Sequence, residues 1–173
     1  MNKVILSALL GSIVFTACDN KQTTTDTLAA DSASITIPAP AVADTLTNIL
    51  TVSDSEMKDD SVFADGSKPT SWENAGITDV RGLKLFLKQA QQWVMNNDKA
   101  KLAAAIRYPL KNIKTEQELI AAYDSVFTRE VKLSFATINF NQIFRNQKGV
   151  MLDGGKVWIT QAGNEFFIFA VNN

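Results

Sequence analysis

The chain has 173 residues, a formal net charge of −1 at pH 7, one cysteine and no histidine. These counts exclude an intrachain disulfide, a zinc site built from cysteine and histidine, and the imidazole that most often shuttles protons near neutral pH. The near-neutral total hides a division of charge: residues 19–76 hold ten acidic and three basic residues (net −7), and residues 77–173 hold eight and thirteen (net +5). The sequence thus predicts an acidic segment followed by a small basic domain.

The first 17 residues have the layout of a secretory signal peptide. Lys3 gives one positive charge, and the apolar stretch that follows is shorter than the roughly 20 residues needed to span a membrane. The motif Phe15-Thr16-Ala17-Cys18 resembles the lipobox of bacterial lipoproteins, with Phe15 in place of the usual leucine. This resemblance implies that a diacylglycerol is attached to Cys18, which becomes the first residue of the mature protein. The protein would then be anchored in a Gram-negative cell envelope, facing the periplasm or the cell surface.

Two other roles of Cys18 stay open at the level of the residues. The chain could be an ordinary secreted protein with an unpaired cysteine, or Cys18 could be a catalytic thiol. A catalytic thiol is disfavoured because the chain has no histidine that would lower the pKa of the sulfur.

Residues 18–76 are predicted to form a disordered acidic tether. The stretch is rich in Thr, Ser, Asp and Ala, contains Pro38 and Pro40, and shows no sustained hydrophobic period. Such a composition buries too little apolar surface to offset the loss of chain entropy on ordering. Within it, the apolar segment 46–52 is a candidate docking strand or helical turn, and Trp72 is a candidate cap on the domain.

Helices are predicted first in the domain, over 77–173. From Val80 to Asn96, apolar residues recur at spacings of three and four residues, which predicts a helix. Asp98 can cap a short second helix. Thr115 and Glu118 have the spacing of a capping box, which begins a helix running at least to Phe127. The next segment, 129–139, fits either a helix or a strand, and we favour a helix.

Strands are predicted at the end of the chain. Pro109 ends the second helix, so that residues 108–113 are expected to be a short strand or an edge segment. Three antiparallel strands, GVML, KVWIT and EFFIFAV, are separated by turns at 153–155 and 161–164. Helices followed by an antiparallel meander place the domain in the α+β class.

Four short segments follow the predicted order of elements: YPL, AAYDSVF, IFRNQKGVML-DGGKVWI and FFIFAVN. In these segments and in their order the chain resembles the nuclear transport factor two-like superfamily, which includes the SnoaL-like cyclases. The resemblance covers residues 79–172. It implies helices wrapped around a curved sheet, with a conical cavity between them. Some members of the superfamily catalyse isomerisation, dehydration or cyclisation in this cavity, and others bind only ligands or partners.

The first functional hypothesis is a non-enzymatic binding domain anchored in the envelope. Its ligand would be a cell-wall fragment, an anionic glycan or another envelope protein, which basic side chains with aromatic neighbours would recognise. The sequence predicts no metal site and no cofactor, since it lacks EF-hand spacing and a P-loop. It predicts no nucleic-acid partner, because the expected signal peptide exports the protein despite its basic domain. The candidate binding residues are Arg107, Tyr108, Arg129, Arg145, Lys148, Lys156 and Trp158.

The second hypothesis is a SnoaL-like enzyme, with Asp124 or Tyr108 as its acid or base. It requires a cavity holding a buried carboxylate with a raised pKa. Asp153 is a lesser candidate, because a predicted turn explains an aspartate there. The abundant phenylalanines either fill the core or line such a cavity. A third hypothesis is a structural protein that forms a homodimer through its sheet.

Overall fold

The structure is a computed structural model that describes residues 50–173. Its helices precede a four-stranded antiparallel sheet, which confirms the predicted α+β class. The signal peptide, Cys18 and the tether as far as residue 49 lie outside the described residues. The elements are α1 (Asp54–Met57), a 3₁₀ turn (Glu73–Ala75), α2 (Val80–Met95), α3 (Lys99–Ala104), α4 (Glu116–Val126), α5 (Arg129–Ala136), β1 (Phe144–Asn146), β2 (Gly149–Leu152), β3 (Val157–Ala162) and β4 (Glu165–Val171).

Local capping explains where the predicted helices begin. The side chain of Asp79 accepts from the Gly82 amide at 2.8 Å and starts α2, and Thr115 accepts from the Glu118 amide at 3.2 Å and starts α4. The capping box is only half formed, because the Glu118 carboxylate accepts from the Lys114 amide at 2.7 Å instead of that of Thr115. The ambiguous segment after Phe127 is the helix α5, as we favoured.

The sheet has strand order β1–β2–β3–β4, so each strand pairs with its neighbour in sequence. The three predicted strands are β2, β3 and β4, and the sequence analysis missed β1, which spans only three residues. Residues 108–113 do not form a strand. The extended backbone lies just before them, where Ile106 bridges Ile168 in parallel and the Arg107 amide donates to the Ile168 carbonyl at 2.8 Å.

The core lies between the helices and one face of the sheet. Val157, Ile159 and Ile168 point from the sheet into it and are fully buried. Between the helices, the ring of Tyr123 stacks on that of Phe127 with centroids 5.1 Å apart, and Phe135 packs against Phe127 at 6.4 Å. These three aromatic side chains therefore fill the core, which is one of the two alternatives predicted for the aromatic residues, the other being that they line a cavity.

A hydroxyl group is buried in this core without a hydrogen-bond partner. It belongs to Tyr123, whereas the Tyr108 hydroxyl donates to the Ala103 carbonyl at 3.0 Å. An unpaired buried hydroxyl costs free energy, and a paired one contributes about 1 kcal/mol. We therefore expect Tyr123→Phe to leave the free energy of unfolding unchanged or to raise it, and Tyr108→Phe to lower it by about 1 kcal/mol. Urea unfolding of both variants followed by circular dichroism checks this, and the reverse order would contradict it.

Residues 50–76 pack against the domain, so the predicted boundary at residue 76 does not coincide with the edge of the folded unit. We call these residues the strap. The strap buries Val52, Phe63 and Ala75, and Trp72 packs against the core as the sequence suggested. Its few apolar anchors are scattered through a polar sequence, which is why no periodic pattern revealed them.

The strap is held by buried charge. The Asp59 carboxylate lies 2.9 Å from the Arg145 guanidinium and 3.1 Å from Lys84 Nζ, and it also accepts from the Trp72 indole at 2.8 Å. Lys84 is fully buried and Arg145 is 5% exposed. Burial lowers the pKa of Arg145, and the charge of Asp59 opposes that shift. A single carboxylate from the strap thus forms ion pairs with two buried cations of the helical and sheet elements.

Candidate functional site

Three of the predicted binding residues line one groove of about 390 Å³. Arg107 and Tyr108 come from the segment that the Ile106–Ile168 bridge fixes beside β4, and Lys148 comes from the turn between β1 and β2. The sheet completes the groove with side chains on the face that the helices leave open. The lining residues are Arg107, Tyr108, Pro109, Lys148, Thr160 and Phe169.

The groove is positively charged. The side chains of Arg107 and Lys148 are exposed, and neither takes part in an ion pair within the described residues. A guanidinium presents a fork of donors that matches a carboxylate or a phosphate, and an ammonium adds a point charge. The pair is therefore suited to hold an anionic group.

Tyr108 contributes a fixed polar and aromatic wall. Burial, with a smaller contribution from the charge of Glu116, raises the pKa of Tyr108 to about 12. The phenol therefore stays protonated near neutral pH, and its hydrogen bond to the Ala103 carbonyl orients the ring. Tyr108 can pack against a ligand but is poorly placed to act as a base.

The floor of the groove is apolar. Phe169 packs beside Trp158, with ring centroids 6.3 Å apart. The predicted binding residue Trp158 therefore adjoins the groove without lining it. Gly149 allows β2 to approach β3 closely beside the ring of Phe169: its φ is +130°, and a Cβ there would lie 2.5 Å from the Ile159 carbonyl oxygen and 3.4 Å from the Phe169 ring. A ligand with a flat or apolar face can therefore lie on Phe169 while its anionic group meets the two cations.

The structure places the remaining basic candidates elsewhere. Arg145 is buried under the strap and paired with Asp59, so it is not available to an external anion. Lys156 is paired with Asp153 at 2.9 Å in the turn between β2 and β3. Arg129 is exposed on the helical side of the domain, where it lines a different groove.

The two acid–base candidates lie apart and in unsuitable environments. Asp124 is exposed and accepts hydrogen bonds from Lys99 and Lys132, both at 3.1 Å, which lower the pKa of its carboxyl group. The enzyme hypothesis requires the opposite shift. Asp124 lines a groove on the helical side, whereas Tyr108 lines the groove over the sheet, so the two do not form a catalytic pair.

Sequence reasoning missed Pro109, Thr160 and Phe169 as lining residues. Alternation along β3 and β4 could have found the last two, because Trp158, Thr160 and Phe169 alternate with the core residues Ile159 and Ile168. Elsewhere in residues 50–173, no group of three acidic, cysteine or histidine side chains is arranged to hold a metal ion. No helix in this part of the chain has the length and hydropathy needed to cross a bilayer.

Comparison of the chain with protein families, with curated proteins and with solved structures finds no match.

Proposed function

We propose that this chain is a lipid-anchored, non-enzymatic binding domain of a bacterial envelope, and that it holds an anionic ligand in the groove between Arg107 and Lys148. The observation that carries the proposal is a pair of exposed cations that have no carboxylate partner within residues 50–173 and that lie beside the apolar ring of Phe169. Lys156 and Arg145 differ from this pair, because each of them already forms an ion pair with a carboxylate of the domain.

The chemistry of the groove favours an anionic glycan, such as a cell-wall fragment. A sugar ring has apolar faces that pack on aromatic side chains, here Phe169 and Tyr108. Its carboxylate would be held by Arg107 and Lys148, and the Thr160 hydroxyl, which donates to the Gln161 carbonyl at 3.4 Å, can accept a further hydrogen bond. A volume of about 390 Å³ fits one or two sugar units and lies at the small end of ligand sites.

The anchor in this proposal is Cys18. Two or three acyl chains on this residue would hold the protein stably at a membrane, since each buried CH₂ contributes roughly 0.8 kcal/mol. The relationship to the nuclear transport factor two-like superfamily, with its conical arrangement, stays part of the proposal and is supported by the order of helices and strands.

Reversing both charges should abolish binding. We expect Arg107→Glu combined with Lys148→Glu to weaken binding of a disaccharide that contains muramic acid with a free lactyl carboxylate by about 100-fold or more, because two attractive contacts become repulsive. Titration calorimetry at low salt measures the affinity, and raising the salt to about 0.5 M should weaken wild-type binding, because dissolved ions screen exposed charges.

The matched control is Lys68→Glu combined with Lys114→Glu. It changes the net charge equally at two exposed lysines that take part in no ion pair of the described residues and lie outside the groove. This variant should bind as the wild type does. Equal losses in both variants would mean that only the overall charge matters, and binding insensitive to both would refute the groove as the site.

A further inference from the structure

The helical side of the domain carries a second groove, of about 450 Å³, lined by α2, α4 and α5. Met95 and Leu133 border it and are 70% and 48% exposed, which makes them the two most exposed large apolar side chains of the described residues. Exposed apolar side chains are ordinary when single, but two on one groove mark a contact surface. We call Met95, Leu133, Lys99, Arg129 and Lys132 the docking face.

The docking face has a net positive charge. Lys99 and Lys132 share the single carboxylate of Asp124, and Arg129 takes part in no ion pair of the described residues. The two lysine ammonium groups also lie 4.9 and 5.0 Å from the centre of the Tyr123 ring, which fixes them beside the groove. Glu130, the exposed neighbour of Arg129 in the chain, adds a second carboxylate beside the face. Three cations against two carboxylates leave a surplus of one positive charge around exposed apolar side chains.

We infer that the docking face rests on the headgroup layer of a membrane containing anionic phospholipids. Met95 and Leu133 would enter the boundary between headgroups and acyl chains, and Arg129 with the two lysines would meet lipid phosphates. Basic residues near an anionic bilayer and apolar side chains at its interface both favour such binding.

The size of the face favours a membrane over a protein partner. A stable protein interface buries about 800 Å² on each side, more than two exposed apolar side chains and their rim provide. A weak contact is enough for a membrane if the chain is already attached to it. This step rests on the proposed lipid at Cys18, because 31 residues separate Cys18 from Leu50 and limit the distance to about 100 Å.

Docking in this way would also orient the ligand groove. The helices pack on one face of the sheet, and the groove with Arg107 and Lys148 opens on the other. A domain lying on the membrane through its helices would therefore present the anion-binding groove away from the lipid, toward soluble or cell-wall ligands.

Sedimentation with vesicles tests the docking face without the anchor. The protein is the chain lacking residues 1–17 with Cys18→Ser, which retains all of the described residues 50–173. With vesicles of phosphatidylethanolamine and phosphatidylglycerol at 3:1, we expect about tenfold stronger binding than with phosphatidylcholine at low salt. Met95→Ser and Arg129→Glu should each reduce the binding severalfold.

The matched controls are Val62→Ser, at another exposed apolar side chain, and Lys114→Glu, at another exposed lysine. They should bind like the parent, with circular dichroism showing that all variants fold. No binding, equal binding to both lipids, or equal losses in controls and docking-face variants would overturn the inference. The mass of the membrane-extracted chain reports the anchor separately, and glycan binding reports the ligand groove.

Discussion

Replacing Asp59 with alanine is expected to lower the free energy of unfolding by about 3–5 kcal/mol, because it leaves two buried cations without a carboxylate. Lys84 is fully buried and Arg145 nearly so, and in the described residues Asp59 is the only carboxylate within ion-pair distance of either. Urea unfolding followed by circular dichroism measures the loss.

The control for Asp59 is Asp54→Ala in the same strap. Asp54 is 98% exposed and lies 3.4 Å from Arg81, so its loss should change stability by less than about 0.5 kcal/mol. Combining Asp59→Ala with Arg145→Met should recover part of the stability, since the double variant no longer buries the unpaired guanidinium. A loss below about 1 kcal/mol for Asp59→Ala would contradict the role assigned to the strap.

Replacing Phe127 with alanine is the second change with a large expected effect. Its ring is fully buried between Tyr123 and Phe135, and its removal leaves a cavity that rigid neighbours cannot close. Such a truncation costs about 3–5 kcal/mol from lost burial and the residual cavity. The loss would be measured by the same urea unfolding of the full chain.

Phe167→Ala is the matched control for this substitution. The substitution Phe167→Ala removes the same atoms, but Phe167 is only partly buried and lies opposite Thr160 on the open face of the sheet. We expect less than half the loss seen for Phe127→Ala. Equal losses would contradict the assignment of the main core to the aromatic cluster between the helices.

The sequence was informative wherever a local rule decides structure. The spacing of apolar residues in α2, the caps at Asp98 and Thr115, and the alternation in β3 and β4 all involve residues close together in the chain. β1 was missed because a strand of three residues is too short to show a period, and its pairing with β2 depends on partners.

The strap was missed because its stability comes from distant residues. Asp59 and Arg145 are separated by 86 positions, and Asp59 is one of several acidic residues in a polar stretch that looks like solvated surface. The same limit applies to the candidate site. Basic residues were chosen by type, and their type does not reveal that Arg145 is buried and paired with Asp59 while Arg107 and Lys148 line the same groove.

The most direct test of the proposed function is native mass spectrometry of the chain extracted from bacterial membranes. We predict a chain whose mass includes acyl groups on Cys18, carrying a further anionic adduct that leaves on mild activation. The adduct should be absent from the Arg107→Glu/Lys148→Glu variant and present on the Lys68→Glu/Lys114→Glu variant. A bare chain in every case, or an adduct that persists when the groove charges are reversed, would contradict the proposal that this groove binds the ligand.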